Sequence, residues 1–240
     1  MNAHIQATEI LEAFGVSLNK LYPKKAILVG QKERLDLVKK RLENVRLLIN
    51  FLDLELYEAK YNDSPLIVGL SGLFAPQASI VLEFCFSLGV DTVIRLGSCG
   101  AIKENIDIGD VIIATGAVRK EGTTQAYLPG EVPSVCCPLL FCKIWKAVLQ
   151  KDLTVHKGIV CSVDAFLRET EEFVSQMKDL NLISVDMITS VFYSLAHVYN
   201  AGAISIMVVS DNLSTREKGF LLPKLREAEE KIIDTVLNNL

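Results

Sequence analysis

Val93-Ile-Arg-Leu-Gly-Ser-Cys-Gly-Ala101 is the stretch whose reading decides the fold. Val93, Ile94 and Leu96 form a short apolar run, the pattern of a strand buried on both faces. Arg95 interrupts the run, and a buried guanidinium requires an anionic partner. Gly97, Ser98, Cys99 and Gly100 follow at once, and they predict a turn at the strand's end. Two glycines let the backbone approach a ligand, and Ser98 adds a hydroxyl donor. An arginine with a Gly/Ser turn suits an oxyanion or phosphate cradle. The same residue types equally suit a tight turn whose arginine pairs with a structural carboxylate.

Working outward, apolar runs at 25–30, 66–70, 90–96, 110–116, 158–162 and 203–210 predict further buried strands, and 51–59 predicts an edge strand. Helical spacing appears around 10–14 and over 31–48, 76–88, 139–151, 169–180, 186–200 and 223–240. Pro76 suits a first helical turn. Strands alternating with helices give an α/β fold. With no linker, internal repeat or low-complexity segment, residues 1–240 read as a single-domain, three-layer α/β unit around a mostly parallel, mixed central sheet.

Composition narrows the function classes. The chain has 240 residues, half of them hydrophobic and 22% charged, with a net charge of −4. Mean hydropathy is +0.32 and the pI is near 5.5. The acidic balance leaves no electrostatic footprint for nucleic acid or an anionic membrane. No apolar run reaches the length of a membrane span. The first residues lack the basic and apolar regions of a signal peptide, so a cytoplasmic protein is expected. Six cysteines and three histidines show no zinc-ligand spacing, and no metal site is expected.

In parallel sheets ligands bind beyond the strand carboxyl ends. Four such ends carry unusual chemistry: Gly30 with Arg34, Ser71-Gly72, Arg95 with Ser98, and Ser210-Asp211-Asn212. Asp211 follows a long apolar run, a placement that suits a carboxyl of raised pKa acting as general acid, or else a turn or helix N-cap aspartate.

Together these segments resemble the nucleoside phosphorylase I family, which holds hexameric purine nucleoside phosphorylases, uridine phosphorylases and related nucleosidases. Ile94-Arg-Leu-Gly-Ser-Cys-Gly-Ala101 is similar to its phosphate motif, with Gly109-Asp-Val-Ile-Ile-Ala114 following at the right distance. Ser162-Val-Asp-Ala-Phe166 resembles the base-pocket segment, Val185-Asp-Met187 the ribose segment, and Val208-Val-Ser-Asp-Asn212 the segment bearing the catalytic acid.

The resemblance implies phosphate-dependent cleavage of a nucleoside, with purine favoured, and inorganic phosphate as co-substrate without a cofactor. It assigns Gly30, Arg34, Arg95 and Ser98 to phosphate and Asp211 to protonation of purine N7. It puts Phe166 and Val185 beside the base, Met187 beneath the ribose, and Asp186 within the ribose segment. His4 resembles a histidine that reaches a neighbouring subunit's sugar, which implies a dimer-based, possibly hexameric homo-oligomer.

The sequence departs from the family pattern at three places. Gln31-Lys32 follows Gly30 where the family has Asp-Pro, and Ser71-Gly72-Leu73-Phe74 replaces a glycine-rich turn. Ile188 stands where the family has the glutamate that grips the ribose hydroxyls. Each lost hydrogen bond to a charged group is worth about 1.5–3 kcal/mol. Altered sugar chemistry, hydrolysis or a non-catalytic binding role therefore stand as alternatives.

Overall fold

The structure, a computed structural model, describes residues 4–240. In chain order its elements are α1 (Ala7–Ala13), β1 (Lys25–Val29), α2 (Lys32–Lys39), β2 (Glu43–Phe51), β3 (Leu54–Tyr61), β4 (Ser64–Leu70), α3 (Ala75–Ser87), β5 (Thr92–Ala101) and β6 (Val111–Lys120). There follow β7 (Ser134–Val135), α4 (Pro138–Val148), β8 (Val155–Val163), α5 (Glu171–Asp179), β9 (Ser184–Asp186), α6 (Thr189–Val198), β10 (Gly202–Asn212), β11 (Glu217–Lys218) and α7 (Pro223–Leu237). Single 3-10 turns lie at Thr124–Ala126 and Phe166–Arg168.

One mixed 11-stranded sheet organises the molecule. Strands β4, β1, β5 and β10 run parallel side by side. β10 also pairs antiparallel with β6, β6 pairs parallel with β8, β8 with β9, and β9 closes antiparallel onto β5. The sheet therefore curls into a ring of β5, β10, β6, β8 and β9, while β1, β4, β3 and β2 extend from it as an open wing. Helices α1, α3 and α6 cover one face and α2, α4 and α7 the other, each over its own apolar cluster. A third, smaller cluster packs α5 against β8 and β9. No helix among the described residues is long and apolar enough to cross a membrane.

Two sequence expectations are corrected. Residues 31–48 are not one helix: α2 ends at Lys39 and β2 begins at Glu43. The wing imposes the strand. Leu52 and Asp53 both adopt positive φ (53° and 61°), as do Asn62 and Asp63 (47° and 61°), giving two hairpin turns whose twist matches the flanking strands. Sheet pairing across these turns outweighs helical periodicity in a half-exposed segment. Secondly, Gly97–Gly100 is not a turn, because β5 runs through it to Ala101 in register with β10.

The ring has one built-in gap. β10 pairs with β6 over Ile206–Val208 only. One residue further along, the buried Tyr193 hydroxyl donates to Ala114 O at 2.7 Å and accepts from Ser205 N at 3.0 Å. A side-chain hydroxyl thus stands where a ladder hydrogen bond would be, and both backbone groups stay satisfied as the strands separate. Tyr193→Phe leaves them without that partner, so it is expected to destabilise the protein by about 1–3 kcal/mol, read from the urea midpoint at unchanged slope.

Candidate active site

The parallel strands β1, β5 and β10 end on the same side of the sheet, and a cavity of about 170 Å³ lies there. Gly30, Arg34, Arg95, Ser98, Phe166, Val185, Asp186, Met187 and Asp211 all line it. Of the residues expected at the site, only His4 is absent from that lining. His4 is exposed, and the N-terminal segment that follows it, Ile5 to Thr8, borders a separate groove with Glu83, Tyr127 and Tyr199.

One end of the cavity is cationic. Arg95 is 5% exposed and Arg34 is 4% exposed. Arg95 points from β5 onto the same face as Gly97, where an added Cβ would lie 2.7 Å from Nη2 and 2.8 Å from Cζ. Glycine at that position is therefore what lets the guanidinium fold back along the strand. Arg95 Nη1 donates to Ser205 Oγ at 2.8 Å and Thr189 Oγ1 at 3.0 Å, and it lies 3.0 Å from Asp186 Oδ2. Burial pulls the Arg95 pKa down and the Asp186 charge opposes that pull. Its buried Nε has no hydrogen-bond partner. Ser98, half-buried, also has no partner for its hydroxyl among the described residues.

Asp186 was expected near the nucleoside, but its carboxylate is spent on the protein. Oδ1 accepts from Ser162 Oγ at 2.6 Å. Oδ2 accepts from Thr189 N, Thr189 Oγ1 and Ile188 N at 2.9, 2.7 and 3.2 Å. It caps the start of α6 and neutralises Arg95, so the structural carboxylate allowed for in the sequence is present.

The opposite end is acidic. Asp211 lies in β10, opposite Gly100 of β5, and is neither a turn residue nor a helix cap. Burial raises its pKa, against the lowering effects of a 2.8 Å hydrogen bond from Ser210 Oγ and of Lys218. Glu169 lines the same cavity, and burial, with repulsion from Asp211, raises its pKa to about 7. The lining also includes the apolar Val185, Met187 and Ile188, the last 2% exposed.

Sequence reasoning missed Leu73, Glu169 and Phe220, which also line the cavity. All three sit in connecting segments; the helix expected from residue 169 begins only at Glu171. Glu169 follows Phe166 closely enough that the base-pocket motif could have flagged it. Phe166 and Phe220 leave 51% and 60% of their surface exposed at the rim.

A family model described as the phosphorylase superfamily matches residues 24–238. The chain belongs to that superfamily. A guanosine phosphorylase from Halorubrum lacusprofundi is 30% identical over 219 residues, covering 89% of this chain and 91% of the relative. A DeoD-type purine nucleoside phosphorylase from Bacillus cereus is 33% identical over 180 residues, 74% of this chain and 76% of the relative. A uridine phosphorylase from Haemophilus influenzae is 27% identical, with 88% and 89% covered. Among solved structures, a uridine phosphorylase from Vibrio fischeri superposes with a TM-score of 0.86 at 23% identity, over 94% of both chains, and supports the fold. The chain is thus an enzyme of the nucleoside phosphorylase family, and its relatives divide between purine and uridine names.

Glu169 gives a pH signature. Its folded pKa, about 7, lies above the ordinary carboxyl value of 4.5. Its contribution to stability is therefore fully present below the ordinary value and is lost as pH rises through about 7. Thermal melts should show the wild type losing stability between acid and mildly alkaline pH, and Glu169→Gln losing measurably less.

Proposed function

We propose that this enzyme cleaves the N-glycosidic bond of a purine nucleoside with inorganic phosphate, releasing the free base and pentose 1-phosphate. The observation that carries the reading is the polarity of one cavity, with two buried guanidiniums at one end and a carboxyl of raised pKa at the other. Arg34, Arg95, Gly30 and Ser98 hold the phosphate, with the Ser98 hydroxyl as an unclaimed donor. A phosphate oxygen forms the new bond to C1′ as the C1′–N9 bond breaks. The bonding pair leaves with the base, and the proton of Asp211 passes to N7, so no free anion departs. Asp211 favours a purine, and Phe166 supplies an apolar face for the base.

No cofactor enters this scheme. The six free cysteines fit a reducing, cytoplasmic setting. The cavity is smaller than the usual range of roughly 300–1,000 Å³ for small-molecule sites, and its rim is apolar and exposed. That supports completion by a second copy of the chain, with His4 reaching across a dimer that is itself the unit of a hexamer.

One observation favours a modified sugar. With an isoleucine at position 188 and both Asp186 oxygens engaged, neither residue of the ribose segment offers a free carboxylate to the sugar. A sugar lacking a hydroxyl, such as 2′-deoxyribose, loses least there.

The deciding assay is base release from inosine, adenosine, guanosine, uridine and their 2′-deoxy forms, with and without phosphate. Phosphate-dependent purine release is expected, and phosphate-independent release would replace the reading with hydrolysis. Asp211→Asn is expected to lower kcat on purine nucleosides by about 10²–10⁴-fold in a folded protein. Ile188→Glu is expected to raise kcat/KM for ribonucleosides relative to deoxynucleosides, and a fall would show that Ile188 serves a different sugar pocket.

A further inference from the structure

Arg34 is held from behind. Its Nε donates to Glu229 Oε1 at 3.2 Å, and Nη2 donates to the same oxygen. Glu229 is buried on α7, and the two residues are 195 positions apart. Nη1 has no protein partner among the described residues. Arg34 lines the active-site cavity, whereas Glu229 does not. Glu229 instead borders a small void behind Arg34, with Leu96, Ile232 and Ile233. Arg95 repeats the arrangement, with the Asp186 carboxylate against one nitrogen and the guanidinium lining the same cavity. Each guanidinium is thus divided between an internal carboxylate and whatever anion occupies the cavity.

We propose that Glu229 is a positioning residue for the phosphate site: it aims Arg34 at the anion and, by its charge, sets how tightly the anion is held. The inference rests on the phosphate reading above. Position and charge act in opposite directions. Removing the side chain frees a long arginine whose ordering must then be supplied on binding. Neutralising the carboxylate while keeping its oxygen leaves Arg34 aimed but uncompensated, which strengthens its attraction for phosphate.

Titration calorimetry with inorganic phosphate reads this without turnover. Glu229→Ala should weaken phosphate binding about tenfold or more. Glu229→Gln, nearly isosteric, should tighten it by about threefold or more. Asp234→Ala breaks the neighbouring α2–α7 pair with Arg41, away from the cavity, and should shift phosphate binding by less than about twofold. In turnover assays the nucleoside KM should stay put while the phosphate KM follows the calorimetry.

Glu229→Ala and Glu229→Gln moving in the same direction, or Asp234→Ala matching Glu229→Ala, would overturn the proposal in favour of simple helix packing. A wild type that binds phosphate while neither Glu229 variant alters the affinity would overturn the positioning role alone. No phosphate binding by the wild type would overturn the phosphate reading and this inference with it. Base release that ignores phosphate, alongside calorimetry that follows the expected pattern, would remove phosphorolysis and leave Glu229's role standing.

Discussion

The ion pair of Arg95 and Asp186 is the constraint on which the rest of the molecule depends. A lone buried guanidinium is not tolerated in a strand, and breaking a buried pair costs about 3–5 kcal/mol. Asp186 meets that demand only because its own oxygens are occupied by Ser162 of β8 and by Thr189 and the first amides of α6. Arg95 in turn reaches Ser205 on β10. One charge therefore ties together β5, β8, β9, β10 and α6. These strands include the one, β9, that closes the ring. The sheet's curl and the neutralisation of one arginine are the same structural event, and the cationic end of the cavity is its exposed side.

Seen along its length, the cavity runs from charge that the protein has already balanced to charge that it leaves unbalanced. At the cationic end each guanidinium has a carboxylate against it, so its charge is largely balanced within the protein. At the acidic end burial raises the pKa values of both Asp211 and Glu169, and repulsion from Asp211 adds to the rise at Glu169. The apolar Val185, Met187 and Ile188 of the lining make few demands on a sugar. This sequence of environments suits a reaction in which negative charge enters at one end and leaves, protonated, at the other.

Much of this was legible in the sequence because the site is built on buried strand ends. Arg95, Ser98 and Asp211 stand out as polar residues at the ends of apolar runs, and the parallel-strand reading brings their ends together. The structure also places Gly30, Arg34, Phe166, Val185 and Met187 in the cavity lining. What the sequence concealed was non-local. Nothing near Asp186 reveals that its carboxylate is consumed by Ser162 and α6, nothing near Glu229 points to Arg34, and Glu169 lies on a connecting segment. The extension of β5 through Gly97–Gly100 was hidden for a related reason. Glycines signal a turn locally, whereas here Gly97 gives room for a folded guanidinium and Gly100 for Asp211 and Leu213. The β2–β3 hairpin escaped because its turn uses Leu52-Asp53, not the glycine-bearing pairs that usually mark such turns.

The pairing of Arg34 with Glu229 also imposes an order in time. The guanidinium emerges early in synthesis, and its counter-charge follows 195 residues later. At ~5–20 residues per second that interval is ~10–40 s. Until then α2 lacks the partner that permits its arginine to be buried. The last long helix therefore acts as a latch on the first strand's loop. A ribosome-bound chain cannot complete the Arg34–Glu229 pair ahead of the rest of its fold.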